Sequence, residues 1–98
     1  MIYVLICYDV NTQDVDGRRR LRKISKACEK YGQRVQNSVF EIWCDFSQFL
    51  QIKDSILKVM DKEKDSVRFY RLHKDYQERV EHYGVKDTYD PHNDVLII

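Results

Sequence analysis

Ile2-Tyr3-Val4-Leu5-Ile6-Cys7-Tyr8-Asp9-Val10 is the stretch that decides the fold. It is β-branched and aromatic and too short for an ordinary helix, so it reads as a strand. Ile2, Val4, Ile6 and Tyr8 line one face, and Tyr3, Leu5 and Cys7 the other. A strand apolar on both faces is covered on both, which places it at the centre of a sheet. It ends on a carboxylate, Asp9, where the chain enters a polar loop. A charge in that position is either solvated at the sheet's edge or held by a metal or a cation. Both readings stand on the residues alone.

Downstream, Asn11 to Gly17 is a loop of turn-forming residues. Its acids do not make a calcium loop: counted from Asp9, the sixth and twelfth positions are Asp14 and Arg20, where an EF-hand needs Gly and Glu. Arg18 to Tyr31 reads as a helix, with Leu21, Ile24, Cys28 and Tyr31 inside an arc of about 80°. Arg18, Arg19, Arg22, Lys23, Lys26 and Lys30 cluster opposite, and Arg20 lies nearer the apolar stripe. Gly32 ends the helix. Gln33 to Trp43 is extended, with a bend or bulge expected at Gln36-Asn37-Ser38. Asp45 or Ser47 caps a second helix to about Met60. Its buried stripe is Phe49, Ile52, Ile56 and Met60, with Leu50 and Leu57. Asp61 to Asp65 is a charged turn, and Ser66 to Leu72 a strand. Glu78 to Tyr83 reads as a short strand, Asp87 to Asn93 as a loop, and Val95-Leu96-Ile97-Ile98 as a last strand.

The order β-α-β-β-α-β predicts an α+β, ferredoxin-like fold: a four-stranded antiparallel sheet, two helices on one face, and an extra C-terminal strand. Because the bare face is also apolar, the expected assembly is a two-fold homodimer with its sheets face to face. The tail residues Val95, Leu96, Ile97 and Ile98 are then available for strand addition to the dimer or another partner.

Ninety-eight residues make a single domain, 1–98, with residues 84–98 as its tail. With 43% hydrophobic and 34% charged residues the chain is globular. No apolar run approaches the ~20 residues of a membrane span, and no basic segment precedes the first apolar stretch. A cytoplasmic protein with no membrane association is expected. Cys7, Cys28 and Cys44 sit in apolar patterns with no C-x-x-C and read as buried thiols. His73, His82 and His92 have no metal-ligand spacing.

The net charge of +1 is unevenly placed. Between residues 18 and 34, eight basic residues face Glu29 alone. Between 74 and 94, three face six acids. Pairing at i,i+4 does not account for the basic helix; it reads as a solvated charged face or as a site for a polyphosphate chain. The aromatic residues Tyr8, Tyr31, Phe40 and Trp43 suit either the core or base stacking. Glycine-rich phosphate loops and Ser or Cys nucleophile motifs are absent. Water activation would then fall to a metal, and two-fold symmetry would let one Mg²⁺ be shared by the two Asp9 carboxylates.

Tyr8-Asp9-Val10, the basic run from Arg18 to Lys23, Tyr31-Gly32-Gln33-Arg34-Val35-Gln36-Asn37-Ser38-Val39-Phe40-Glu41 and Asp65-Ser66-Val67-Arg68-Phe69-Tyr70-Arg71-Leu72 together resemble CRISPR-associated protein 2, over nearly the whole chain. The style is most like members accompanying type I-C systems. The resemblance implies a ferredoxin-like homodimer with a Mg²⁺ site between paired Asp9 residues. It implies a role in spacer acquisition, in which the dimer bridges copies of the CRISPR-associated integrase along double-stranded DNA. It also implies metal-dependent endonuclease activity on single-stranded RNA or duplex DNA. By position, Asp9 matches the metal ligand and Tyr8 its neighbour. Arg18, Arg20, Arg34 and Phe40 match positions implicated in activity, and Ser38 falls within the motif. The alternative is a toxin-type ribonuclease of a toxin–antitoxin pair, which shares the fold; the Arg-Val-Gln-x-Ser-Val-Phe motif argues against it.

Overall fold

The computed structural model describes residues 1–85. Its elements follow the expected order: β1 (Ile2–Asp9), α1 (Val15–Glu29), β2 (Gly32–Gln36), β3 (Val39–Cys44), α2 (Phe46–Val59) and β4 (Ser66–Leu72). The strands form one antiparallel sheet in the order β2-β3-β1-β4. β1 is interior, with Cys7 opposite Val39 on one side and Arg68 on the other. Both helices cover the same face. Val4, Ile6, Tyr8, Phe40, Ile42 and Cys44 from the sheet meet Ile24 and Cys28 from α1 and Phe49, Ile52 and Ile56 from α2 in one core. Burial pushes the Cys28 thiol up to about 12 and raises that of Cys44.

Local chemistry sets the helix starts. The Asp14 carboxylate accepts from the Gly17 amide at 2.7 Å, so α1 begins at Val15, three residues before the expected Arg18, and it ends at Glu29 before Tyr31. A Cβ on Gly17 would stand 1.9 Å from the Asn11 carbonyl oxygen, so only glycine lets this first turn press on the β1–α1 loop. Asp45 caps α2 through a reciprocal pair of bonds with Gln48. In α2, Leu50 is 47% exposed, outside the buried stripe expected for it.

The expected bend at Gln36-Asn37-Ser38 is a turn that divides the extended segment into β2 and β3, with a register shift between Arg34 and Gln36. The Tyr8 amide donates to the Ser38 carbonyl at 3.0 Å, fastening this turn to the end of β1. The short strand expected from Glu78 to Tyr83 is not formed. Lys74–Arg79 is a 3-10 helix packed against β1, and only His82 makes an isolated bridge. The Asp75–Arg79 pair at 3.8 Å has a helical spacing, not a strand's. The loop expected at Asp87–Asn93 and the strand at Val95–Ile98 lie outside the described residues.

Candidate functional site

Alternation along β1 separates the residues expected to act together. Tyr8 points into the helix-covered layer. Its ring stacks on Phe40 at 6.2 Å with a 21° interplanar angle, and its hydroxyl lies 3.0 Å from Ser25 Oγ on α1. Burial raises the Tyr8 hydroxyl pKa, and the Ser25 bond only partly offsets this. Phe40 is fully buried, and the Arg34 guanidinium sits 5.4 Å from its ring centroid and 3.4 Å from Glu29. Tyr8, Phe40 and Arg34 therefore form one inner stack behind the sheet. Asp9, one residue on, is exposed and falls on the opposite face with Leu5 and Cys7. Ser38 joins it at the same end of the sheet through the Tyr8 amide.

Arg20 is held by a partner the sequence analysis left in a charged turn. The Asp65 side chain is fully covered and accepts four hydrogen bonds: from Arg20 Nε at 2.7 Å, Arg20 Nη2 at 3.2 Å, and the Asn11 and Asp61 amides at 3.2 and 2.9 Å. Burial alone would raise its pKa, but the guanidinium and the two amides outweigh that and hold the carboxyl below its usual range. This clamp ties α1 to the β1–α1 loop and to the turn before β4. Its one signal in the sequence is Arg20's place beside the apolar stripe, where a cation needs a partner.

The other helix cations are exposed. Arg18 donates to the Thr12 carbonyl at 3.4 Å, Arg19 lies 3.7 Å from Asp16, and Lys30 sits 5.4 Å from the Tyr31 ring centroid. Among the described residues, no carboxylate is in ion-pair range of Arg22, Lys23 or Lys26. Such a face suits a run of phosphates, which bind through neutralised charge without regard to sequence.

Mg²⁺ wants octahedral oxygen ligands, keeps several waters, and is satisfied by one or two carboxylates. Asp9 offers one accessible carboxylate, and no group of three His, Cys, Asp or Glu side chains converges among the described residues. Among the described residues, Asp9 alone is therefore compatible with such an ion as a single carboxylate ligand and does not by itself make a site.

The family model for CRISPR associated protein Cas2 matches residues 1–80. The chain is 51% identical to the CRISPR-associated endoribonuclease Cas2 of Nitratidesulfovibrio vulgaris, over 96% of this chain and 92% of that protein. It is 52% identical to the CRISPR-associated endonuclease Cas2 of Halalkalibacterium halodurans, over 89% and 91%. The crystal structure of Streptococcus pyogenes Cas2 at pH 6.5 superimposes with a TM-score of 0.75 at 50% identity, covering 84% of this chain and 99% of that one. A chain of a partial Cas6-RT-Cas1–Cas2 complex gives 0.64 at 33% identity, covering 83% and 89%. No helix among the described residues is long and apolar enough to cross a membrane. The ferredoxin-like sheet, the strand-end Asp9 and the basic helix thus come together with these likenesses, and the chain belongs to the CRISPR-associated protein Cas2 family.

Proposed function

We propose that this chain is a cytoplasmic subunit of CRISPR spacer acquisition, of the kind that accompanies type I-C systems. Its two-fold dimer lies along duplex DNA through α1, engages the CRISPR-associated integrase, and carries an endonuclease site at paired Asp9 residues. The observation that carries this reading is the exposed carboxylate at the end of an interior strand, on the sheet face that has no helix. The Cas1–Cas2 complex among the similar structures supports the integrase partnership, and the names of the relatives support nuclease activity.

The Asp9 carboxylates of the two copies would hold a Mg²⁺ ion, which would supply Lewis acidity and a more acidic water. The chain's own residues bind and orient. Arg18, Arg19, Arg22, Lys23, Lys26 and Lys30 hold the backbone of duplex DNA or single-stranded RNA. Tyr8, Phe40, Arg34 and Arg20 support the site from behind, through the inner stack and the Asp65 clamp, and Ser38 lines the end of the sheet.

Wild type and Asp9→Asn, compared in Mg²⁺-dependent cleavage of labelled duplex DNA and single-stranded RNA and in integration with the integrase, test this. Loss of cleavage with integration retained is expected, in a protein of unchanged dimeric mass. Full-rate cleavage by Asp9→Asn sinks the nuclease site. RNA cleavage with no integrase association favours the toxin-type alternative.

A further inference from the structure

The main chain that leaves Asp9 is gripped by the ion pair of Arg20 and Asp65. The Asn11 amide donates to Asp65 Oδ1 at 3.2 Å, and the Asn11 carbonyl accepts from Arg20 Nη2 at 3.4 Å. Both backbone polar groups of one residue are therefore bound by the two members of one ion pair. The same carbonyl presses on Gly17, where a Cβ would stand 1.9 Å from its oxygen. Val10, between Asp9 and Asn11, packs against the core. Across the strand pair, Asp9 is opposite Ser66, the residue next to Asp65. Upstream, the Tyr8 amide is fastened to the Ser38 carbonyl at 3.0 Å. Asp9 thus projects from a backbone held one residue before it, two residues after it and across the strand pair.

A covered ion pair is a poor source of net stability, because desolvating both groups offsets most of their attraction. What this pair supplies is geometry. Arg20 Nε and Nη2 reach Asp65 at 2.7 and 3.2 Å, and the Asp61 amide adds a bond at 2.9 Å. Lys64, 3.9 Å from Asp14, joins the same two loops a second time. The clamp does not depend on an open sheet face: Arg20 lies on α1, and the Asp65 side chain is covered within a single chain. A carboxylate shared across a two-fold axis also magnifies error. A shift of each Asp9 towards or away from the axis changes the separation of the pair by twice that shift, and a metal ligand set tolerates only about 0.5 Å.

We propose that Arg20 and Asp65 are positioning residues for Asp9. The pair sets the Asn11 main chain, and through it the place where the Asp9 carboxylate meets that of a second copy. Neither side chain touches the substrate. The proposal rests on the reading of paired Asp9 residues as the endonuclease site. It gives Arg20 a role other than a phosphate contact, because its guanidinium is already committed to a carboxylate and a carbonyl. The two roles predict opposite results when Asp65 is neutralised: a phosphate contact would be freed and strengthened, whereas a positioning clamp would be lost.

The test uses the full chain as Asp65→Asn, Arg20→Ala, their double variant, Gly17→Ala and Asp9→Asn, below the lowest thermal midpoint of the set and with mass followed by sedimentation. Cleavage of labelled RNA and duplex DNA is measured with Mg²⁺, and Mn²⁺ binding is read separately by electron paramagnetic resonance. Asp65→Asn and Arg20→Ala are each expected to lower kcat and Mn²⁺ affinity by about 10–100-fold at an unchanged KM and dimeric mass. The double variant should be no slower than the worse single one, because both act through Asn11. Gly17→Ala keeps both charges and pushes the Asn11 carbonyl away, so it should slow cleavage in the same way, and it decides the matter if Asp65→Asn does not fold. Wild-type cleavage and Mn²⁺ affinity in Asp65→Asn or Gly17→Ala, losses that multiply in the double variant, or a raised KM confined to Arg20→Ala overturn the clamp. Abolished cleavage in Asp9→Asn beside wild-type values in Asp65→Asn refutes the clamp and leaves the nuclease reading standing. Full cleavage by Asp9→Asn refutes the nuclease reading, and weakened Mn²⁺ binding in Asp65→Asn beside it keeps the clamp as what sets Asp9.

Discussion

Arg20 and Lys26 belong to the same helix and use their charge in opposite ways. Arg20 is folded against a sealed carboxylate, while Lys26 faces solvent with no acid in range. The same division runs through the whole molecule. On the inner side, Arg20–Asp65 and Arg34–Phe40 spend their chemistry on holding layers together. On the outer side, Arg22, Lys23 and Lys26 have no carboxylate in range among the described residues, and Asp9 ends β1 exposed on the other face of the sheet. The number of cations in a sequence therefore overstates the field a ligand meets, and what matters is how many already have a partner.

The sharpest way to break this division is at Phe40. If it serves the core, Phe40→Ala should cost about 3–5 kcal/mol, read as a large drop in denaturation midpoint, while nucleic-acid affinity of the remaining folded protein holds. A stable Phe40→Ala protein that has lost binding would move Phe40 to the outer side.

Asp65 comes next. Its folded pKa lies below the unfolded value, so the stability it contributes is present above about pH 4 and drains away as the pH falls through the folded value. Asp65→Asn should lower the thermal midpoint at pH 7 by several degrees, at about 4–8 °C per kcal/mol for a domain this small. It should also flatten the decline of stability on the acid side. An acid limb as steep as wild type's in Asp65→Asn would assign that limb to other carboxylates.

The smallest effect separates the two helix positions directly. Lys26→Ala should leave stability within about 0.5 kcal/mol and lower the salt slope of duplex binding by about 0.9. Arg20→Ala should reverse the pattern, with a lower thermal midpoint and a salt slope close to wild type. Equal salt slopes for the two variants would mean that Arg20 leaves Asp65 to reach the phosphates.

Which of these features the sequence disclosed follows from how local each is. The order of elements along the chain was legible because alternation and helical spacing are written in neighbouring residues. So was the break at Gln36-Asn37-Ser38, where polarity interrupts the pattern. The Glu78–Tyr83 segment misled because its alternation is weak: its first two residues close the 3-10 helix Lys74–Arg79, and only His82 beyond them makes a bridge. Asp65 was hidden because its partner is 45 residues away, and nothing near it in the chain marks it as buried. Tyr8 and Asp9 carried a different lesson. Adjacent residues on a strand face opposite layers, so a motif that is contiguous in sequence is divided in space, whereas Arg68, far away in the chain, is on Asp9's side.

The three thiols inherit the same asymmetry. Cys28 and Cys44 are sealed in the core with their ionisation pushed upward, whereas Cys7 is half-buried on the open face, across from Arg68. A thiol-directed reagent applied to the native protein would therefore react first at Cys7, and only as fast as that face is open to solvent, so its labelling rate reports on whatever covers the Asp9 side of the sheet.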